Sequence, residues 1–467
     1  MCATRFTRPA ASLAVAFAAM LCMSAPASAS TDAAGAAGST ATTADLKTRQ
    51  LQDLEAARTG YVLATRAYSE PVRARALAAL DAAKARAGSM SDAEFTLALA
   101  RVAAMADNAH DALHLNGKLN GPRLPLRVVW IGDELVVALS APQLPELAGA
   151  RILSLCGKPV ADLPALARTV IGGPDQYVRS RSTWLWESPA LLAALGLPVD
   201  QGRVRASFRL RDGQVVERTL DPIDSIQVPT ASTGELLRGA HSAAASGTVW
   251  HSALLGAPVP MAFQEPDKRF RSVYIQAYDT LYVQFRGNWD NDNGRELGKF
   301  AGDTAALAVK THPRFIIIDQ RYNGGGNTNL TQELMKFLGT AARDRVYIFT
   351  SEYTFSAGIA STAIARQAAG GKAKIVGAPV GDRLRWWSEN PQRCLPNSGH
   401  CLSPSYGLWD LQKGCAKEDS CFGDQYGVKV STLDPDIPAP LTAADWLAGY
   451  DAALMAAAAD ALPGGPR

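Results

Sequence analysis

The chain has 467 residues, of which 47% are hydrophobic and 19% are charged. This balance is that of a globular protein long enough for about two to four domains, and it excludes disordered, collagen-like and coiled-coil chains. The 47 basic and 44 acidic residues give a formal net charge of +3, and two of the basic residues, Arg5 and Arg8, lie in a leader. The near-neutral remainder argues against bulk electrostatic binding to nucleic acid or to an anionic membrane.

The leader, residues 1–29, has the three parts of a secretory signal. Arg5 and Arg8 form a positive start, residues 10–23 an apolar segment, and Ala27-Ser28-Ala29 a small-residue cleavage site. A membrane-spanning helix needs about 20 consecutive apolar residues, which neither this segment nor any later one supplies. We therefore interpret the leader as a signal peptide and the protein as exported, periplasmic or secreted, without a stable membrane anchor.

Four of the seven cysteines lie within one short segment near the C-terminus. In an oxidising compartment such a cluster indicates two local disulfides. Nearest-neighbour pairing joins Cys394–Cys401 and Cys415–Cys421, although four cysteines allow three connectivities. A four-cysteine zinc site is the alternative, which the lack of C-x2-C pairs disfavours.

Three segments with different sequence patterns follow the leader. Residues 30–44 are small and polar, which predicts a disordered linker. Residues 45–120 have a helical pattern, with Ser91 and Glu94 at capping-box spacing. Residues 121–230 change to short β-type runs, and we expect strands at 126–130, 134–138 and 151–155 and two more around a turn between 204 and 220.

Residues 231–460 alternate strands with helices, which predicts βα crossover units with functional loops at the strand ends. The expected strands are 280–285, 315–319, 346–349 and 374–376. The expected helices are 293–310, 330–338 and 357–369. We expect strands 315–319 and 346–349 to share one sheet.

The loop Asp319-Gln-Arg-Tyr-Asn-Gly-Gly-Gly-Asn327 directly follows an expected buried strand. Its three consecutive glycines let the backbone approach a ligand closely, and free N–H groups in such a turn bind anions. The spacing is that of neither a Walker loop nor a dinucleotide fingerprint. A flexible turn without function is the alternative.

A second loop, Thr350 to Ala360, leads from a strand into a helix of small residues and contains Ser356. A serine at such a turn can present its hydroxyl, and the N–H groups that follow can face an oxyanion. Serine is also among the commonest helix caps. From this loop alone, capping is the simpler explanation.

In order, Asp319 to Gly326, Thr354-Phe-Ser-Ala357, Gly377-Ala-Pro-Val-Gly381 and Leu433-Asp-Pro-Asp-Ile437 resemble the S41 peptidase family. That family comprises tail-specific and C-terminal processing proteases, tricorn-type proteases and retinoid-binding-protein modules. The resemblance implies an α/β fold with a crotonase-like (ClpP/crotonase) catalytic domain at 231–460, which here contains a Cys-rich insertion at 390–425. It also implies a PDZ-like module at 121–230 behind a helical N-terminal region.

The resemblance implies that Ser356 is a nucleophile. The oxyanion hole would consist of the Ala357 N–H and a glycine N–H from Gly325 or Gly326. The C-terminal processing branch uses a lysine base in the loop that here covers residues 377–383, and this chain has no lysine there. An arginine cannot replace it, because its pKa exceeds about 12.

The tricorn-type branch instead uses a histidine after a helix, and Asp107-Asn-Ala-His110 resembles that stretch. A neutral imidazole can take a serine proton and return it to the leaving group. His110 is therefore the candidate base, although a helix-end histidine can also be a surface residue favoured by the helix dipole. His110 and His114 also form an HExxH-like pair, for which no third metal ligand is evident.

The carboxylate that would orient the histidine is assigned to Glu389 or Asp424. The family usually has a glutamate three residues after the serine, where Ile359 stands here. The sequence therefore predicts an exported serine-type peptidase acting on peptides or proteins, with no cofactor, no metal and no nucleic-acid partner. The alternative is an inactive protein of the same fold that binds a peptide or a lipophilic ligand, and the oligomeric state stays open.

Overall fold

The computed structural model describes residues 43–116, 121–239, 244–389 and 391–461. The signal peptide inferred for residues 1–29 and nearly all of the linker inferred for residues 30–44 lie outside these ranges. The first helix begins at Thr43, so the last two residues of the expected linker are helical. No helix within the described ranges combines the length and the apolar character that a membrane crossing requires.

The N-terminal region is helical, as its pattern predicts. Its elements are α1 (Thr43–Ala57), α2 (Glu70–Ala85), α3 (Asp92–Ala104) and a short strand β1 (Leu113–His114). The expected capping box is present, because Ser91 Oγ accepts from Glu94 N–H and the Glu94 carboxylate accepts from Ser91 N–H. The buried faces of the three helices form one apolar cluster that includes Leu54, Leu80 and Leu99.

The middle region is a mostly antiparallel sheet with short helices. Its elements are β2 (Leu126–Ile131), β3 (Glu134–Ser140), β4 (Arg151–Leu155), β5 (Lys158–Pro159), α4 (Leu163–Ala167), α5 (Asp175–Arg181), α6 (Thr183–Trp186), α7 (Pro189–Ala194), β6 (Val204–Arg209) and β7 (Val215–Leu220). The central strand order is β3-β4-β6-β7, with β2 beside β3 and β5 beside β4. Apolar residues of β2, β3, β4 and β6 pack against α3 to α7.

The last region alternates strands and helices. It contains α8 (Thr233–Arg238), β8 (Ala244–Ala245), β9 (Thr248–Val249), β10 (His251–Ser252), β11 (Phe270–Ile275), β12 (Thr280–Phe285), α9 (Arg295–Thr311), β13 (Phe315–Asp319), α10 (Gln332–Ala341), β14 (Arg345–Thr350), α11 (Ala357–Ala369), β15 (Ala373–Gly377), β16 (Arg385–Ser388), β17 (Arg393–Cys394), β18 (Cys401–Leu402), β19 (Gly407–Asp410), β20 (Ile437–Pro438), α12 (Ala443–Ala448) and α13 (Ala452–Ala461).

The domain boundary expected near residue 230 is crossed by a strand pairing. Strand β10 pairs with the far end of β3, with His251 opposite Ser140 and Ser252 opposite Leu139. The middle sheet therefore includes a strand from beyond the boundary, which pairs with β3 past the point where β4 pairs with Leu135 and Val136. Sequence periodicity cannot reveal so short an added strand.

One six-stranded sheet organises the last region, in the order β11-β12-β13-β14-β15-β20. All neighbours from β12 onward run parallel, and the expected pairing of 315–319 with the strand around 346–349 is confirmed. The β13 strand is buried along its whole length, as parallel strands covered on both faces are. The carboxyl ends of β13, β14 and β15 meet at one edge, which is where such sheets bind ligands.

The Cys-rich insertion connects this region to the N-terminal helices. Its hairpin β17–β18 pairs with β1 in a three-stranded sheet, and Leu395 and Leu402 are buried in the cluster of the N-terminal helices. Disulfides join Cys394 to Cys401 and Cys415 to Cys421, which are the nearest-neighbour pairs. A four-cysteine zinc site would need all four sulfurs as thiolates, whereas here each sulfur is paired with another sulfur.

Candidate active site

Ser356 lies at the turn from β14 into α11. Its backbone has φ 54° and ψ −124°, a left-handed conformation that costs a non-glycine residue free energy and is frequent at functional sites. Within the described residues the Ser356 side chain makes no capping hydrogen bond, although it occupies the cap position of the helix. The hydroxyl is therefore not used as a helix cap.

Gly325 contacts this serine directly. A Cβ added at Gly325 would lie 2.7 Å from Ser356 Cβ and 3.2 Å from Ser356 Oγ, so only glycine fits here. Gly325 also has φ +107°, which glycine adopts without strain. The two loops found in the sequence therefore meet at Gly325 and Ser356.

A buried network of side-chain amides joins the two loops. Asn323 Nδ2 donates to Asn288 Oδ1 at 2.7 Å and to Gln320 Oε1 at 2.5 Å. Asn288 Nδ2 donates to Ser361 Oγ at 2.8 Å and to the Ala357 carbonyl at 3.2 Å. Because these amides are fully buried and hydrogen-bonded, they fix the glycine loop against the start of α11.

Sequence reasoning missed this network. Asn323 lies in the Asn-Gly-Gly-Gly loop, but its side chain was given no role. Asn288 lies three residues after the end of strand β12, and a polar residue just beyond an apolar strand is the signal that the sequence offers.

The oxyanion donors inferred from the resemblance differ in availability. Gly325 N–H donates to Asn323 Oδ1 at 3.0 Å and is thus already engaged. Within the described residues, neither Ala357 N–H nor Gly326 N–H donates to an acceptor. Of the two glycine alternatives, Gly326 is therefore the one whose N–H is not engaged within the described residues.

His110 packs beside the serine turn. Its ring stacks on Phe355, the residue before Ser356, with ring centroids 4.3 Å apart and an interplanar angle of 24°. On the other side, Trp386 lies nearly parallel at 6.3 Å. His110 is 7% exposed, so it is not a surface helix-end histidine. The structure brings together His110 and the Ser356 turn, far apart in the sequence.

The carboxylate beside His110 is that of Asp382. Asp382 Oδ2 lies 3.5 Å from His110 Nδ1, and both side chains are buried. Asp382 Oδ1 accepts from Arg383 N–H at 2.8 Å. Asp382 belongs to the loop after β15, and Gly381 N–H in that loop donates to the Thr354 carbonyl at 2.8 Å. This contact fixes the loop to the serine turn.

The two carboxylates assigned from sequence contact other groups. Glu389 Oε1 accepts from Trp409 Nε1 at 3.2 Å. Asp424 Oδ1 accepts from Cys415 N–H at 2.8 Å, inside the disulfide loop. The carboxylate that the structure places against the His110 ring is that of Asp382, because loop packing rather than sequence order decides which carboxylate reaches the ring.

Polar contacts hold the His110 segment in place. Arg383 donates to the Asp107 carbonyl at 2.7 Å and to Asp107 Oδ2 at 2.8 Å. Asn108 exchanges two hydrogen bonds with the Trp387 backbone, at 2.9 and 3.0 Å. In the loop where the lysine-using branch has its base, Arg383 thus positions the segment that contains the histidine.

The HExxH-like metal alternative is not supported. His114 lies in strand β1 rather than on a helix, and its Nε2 is 2.9 Å from Ser403 Oγ. Asp111 accepts from Thr65 Oγ1 at 2.6 Å, and burial raises the pKa of its carboxyl. Among the described residues, His110, Asp111 and His114 do not form a group that could share a metal ion.

Behind the site, a buried ion-pair group supports the glycine loop. Arg321 donates to Asp319 Oδ2 at 2.7 Å and to Asp451 Oδ1 at 2.7 Å. Burial opposes ionisation of Asp319, but the Arg321 guanidinium beside it lowers the pKa of that carboxyl. Ile359, at the position of the family's usual glutamate, is completely buried in the apolar core under the sheet.

The chain shares its fold with solved structures of CPAF. A structure of mature CPAF complexed with lactacystin superposes with a TM-score of 0.53 at 15% identity, covering 87% of this chain and 96% of that chain. A second structure of mature CPAF gives 0.53 at 14% identity, with coverages of 87% and 95%. A photosystem II D1 C-terminal processing protease gives only 0.37 at 11% identity. No family model and no curated protein matches the chain.

Proposed function

We propose that this chain is an exported serine peptidase of the S41 type, with Ser356 as nucleophile, His110 as general base and Asp382 as the orienting carboxylate. One observation supports it above all. A strained serine with an unused hydroxyl lies against a glycine loop, and a buried histidine is stacked on the preceding residue with a carboxylate 3.5 Å from its Nδ1. Nucleophile, base and orienting group in this arrangement define the triad logic of acyl transfer.

The reaction then runs in two halves. Ser356 Oγ attacks the carbonyl carbon of the scissile peptide bond while His110 Nε2 takes the hydroxyl proton. The imidazolium returns that proton to the leaving amine as the C–N bond breaks, which leaves an acyl-enzyme ester. Water attacks the ester in the same way, giving the carboxylic acid and free Ser356.

Asp382 acts on the ring rather than on the substrate. A carboxylate at Nδ1 holds the tautomer that has its proton on Nδ1, so that Nε2 is free to accept. The Ala357 and Gly326 N–H groups would hold the oxyanion of the tetrahedral intermediate. A donor of this kind contributes on the order of 3 kcal/mol to transition-state stabilisation.

The domain roles are part of the same proposal. The parallel sheet β12-β13-β14-β15-β20 with its helices supports a crotonase-like catalytic domain at 231–460, and the antiparallel sheet supports a PDZ-like module at 121–230. Export is supported by the two disulfides, which persist in oxidising compartments. Peptides or proteins are the proposed substrates.

Labelling with a fluorophosphonate probe tests the nucleophile. Wild-type protein should be labelled, Ser356→Ala should not, and His110→Ala should be labelled far more slowly. Ser89→Ala, which changes an exposed serine of the helical region, is the matched control and should be labelled like the wild type. Because nucleophile and base act as a unit, hydrolysis of a small ester should fall by similar amounts in both single variants and in the double variant.

The opposite results are equally clear. Wild-type protein that takes no label and hydrolyses no ester would overturn the peptidase in favour of a binding protein of the same fold, for which Ile359 at the glutamate position is the supporting observation. Full activity of His110→Ala would be compatible with Ser356 as the nucleophile, but it would show that His110 is not the general base.

A further inference from the structure

A cleft of about 830 Å³ opens beside the candidate active site. Its walls come from the antiparallel sheet region, from α8 and from the two active-site loops, which contribute Tyr322, Gly324 and Tyr353. We propose that this cleft binds a carboxylate of the substrate through Arg181, with Arg238 as a second cation. The proposal rests on the peptidase function above and adds the chemical class of its substrate.

The charged lining of the cleft is four arginines and two glutamates. Arg123 and Arg127 both donate to Glu187, at 2.7 and 2.9 Å. Arg127 also donates to the carbonyl of Ala231 at 2.7 Å. These two arginines are therefore occupied in holding the wall together, and they are not the groups left to bind a ligand.

Arg181 differs from Arg123 and Arg127 in having no such partners among the described residues. It is the last residue of α5, it is partly buried, and within the described residues it has no carboxylate within 4 Å and no hydrogen-bond acceptor. Its Nε is buried without an acceptor. A buried N–H without an acceptor is costly, because it has lost water and gained no hydrogen bond in return. A substrate carboxylate would supply the missing acceptor in bidentate geometry.

Arg181 is also close to the reaction centre. Its guanidinium carbon lies 5.5 Å from the ring centroid of Tyr177 and 5.9 Å from that of Phe355. Phe355 precedes Ser356 and stacks on His110. A carboxylate held by Arg181 would therefore belong to a substrate residue near the scissile bond rather than to a remote part of the chain.

Arg238 adds positive charge on the α8 side of the cleft. Its Nε is likewise buried without an acceptor within the described residues. Burial lowers the pKa of its guanidinium, with Tyr322 and Glu235 opposing the shift. The four arginines exceed the two glutamates of the lining, Glu187 and Glu235, by two charges, which leaves this cleft attractive to an anion.

Matched peptide substrates test the proposal. Fluorogenic peptides that differ only by Glu or Gln at one position, moved in turn along the peptide, report on an acidic side chain. A second pair differs only by a free or an amidated C-terminus. A charge-assisted contact predicts that the wild type prefers one acidic member in kcat/KM by on the order of tenfold to a hundredfold. The preferred pair identifies the source of the carboxylate.

In Arg181→Gln, the kcat/KM ratio of the acidic to the neutral peptide should fall toward one. Arg181→Lys, which keeps the charge but loses the bidentate guanidinium geometry, should retain part of the preference. Arg205→Gln is the control, since Arg205 is an exposed arginine of the same sheet region, and it should keep the full preference. If the wild type has nearly equal kcat/KM values for the two members of every peptide pair, the proposal is overturned. An Arg181→Gln variant that slows both members of the preferred pair equally would also overturn it, because that result indicates a purely structural role.

Binding separates this proposal from the peptidase itself. Fluorescence anisotropy with the labelled acidic and neutral peptides can be measured on Ser356→Ala, which cleaves neither. Tighter binding of the acidic peptide that is lost in Ser356→Ala/Arg181→Gln supports the carboxylate site even if the wild type hydrolyses nothing. Equal binding of both peptides overturns the site even if the wild type is an active peptidase.

Discussion

His110 Nδ1 lies 3.5 Å from Asp382 Oδ2, although the two residues are 272 positions apart in the sequence. His110 follows the last N-terminal helix, and Asp382 follows the strand β15 of the parallel sheet. Arg383 joins the two segments through Asp107, and Asn108 does so through Trp387. The position of the ring therefore depends on how the helical region docks against the loops of the sheet.

Asp382→Asn should lower kcat/KM on a small ester by roughly 10²–10⁴-fold, because the amide no longer favours the productive tautomer and no longer stabilises an imidazolium. The size of the side chain is kept, so the fold should be retained. Asp303→Asn, an exposed carboxylate of α9 paired only with Lys299 among the described residues, is the control and should keep wild-type kinetics. An Asp382→Asn variant with the wild-type rate would refute the orienting role.

Gly325→Ala should reduce activity sharply. The new Cβ would lie 2.7 Å from Ser356 Cβ, so the serine or the glycine loop must move, and a displacement of about 1 Å costs on the order of a hundredfold in rate. The left-handed φ of +107° should also cost about 1–3 kcal/mol of unfolding free energy. Kinetics on the ester and chemical denaturation measure the two effects.

Gly298→Ala is the matched control for that substitution. Gly298 lies inside α9, and a Cβ added there would meet no atom within 4 Å. Alanine in a helix interior should raise the unfolding free energy by about 0.5–1 kcal/mol without changing ester kinetics. Equal kinetics of the two alanine variants would contradict the close contact between Gly325 and Ser356.

Much of the parallel sheet can be predicted from the sequence, because buried strands such as 315–319 are short apolar runs that end at glycine or polar loops. Strand 280–285 and helix 357–369 have the expected bounds. The partner of His110 cannot be predicted in this way. Asp382, Glu389 and Asp424 are all acidic residues that follow strand β15 in the sequence, and only the packing of Gly381 on the serine turn decides which one reaches the ring.

The arginine cleft could not be predicted either. Arg181 lies in a short helix with no motif around it, and its lack of an acceptor is a property of tertiary packing. The same holds for strand β10, whose two residues join the middle sheet at the end of β3 that β4 does not cover. Sequence patterns thus reveal what one segment forms, whereas pairings between distant segments depend on the complete fold.

Removing the disulfide Cys394–Cys401 with two serine substitutions should loosen the N-terminal helices. The hairpin it closes pairs with β1 and packs on the helical cluster. Chain entropy predicts a loss of about 2 kcal/mol for so short a loop. Amide hydrogen exchange should rise in α1–α3. The equivalent removal of Cys415–Cys421 should leave exchange there unchanged, and equal effects of the two removals would contradict the anchoring role.

Acidification should weaken the same docking through His400. Its Nδ1 accepts from Asn116 N–H at 3.1 Å, and its Nε2 lies 3.1 Å from Thr96 Oγ1. The Thr96 hydroxyl donates to the Asp92 carbonyl, so Nε2 must be the donor. The Nδ1 contact requires the neutral ring, because a protonated Nδ1 cannot accept a hydrogen bond. Burial lowers the pKa of His400 below its ordinary value of 6.5, with Asp53 and Asp92 opposing.

The sign of the effect follows from this pKa shift. Between the lowered folded pKa and 6.5, the unfolded chain binds a proton that the folded chain does not, so the unfolding free energy falls as the pH drops through this window, by at most about 1.4 kcal/mol per pH unit. His114, whose pKa is also lowered by burial, adds an effect of the same sign. His400→Gln should reduce the slope in denaturation curves taken between pH 7 and about pH 5. His312→Asn, which changes an exposed histidine at the end of α9, should keep it. An unchanged slope in His400→Gln would show that His400 is not held neutral by this docking.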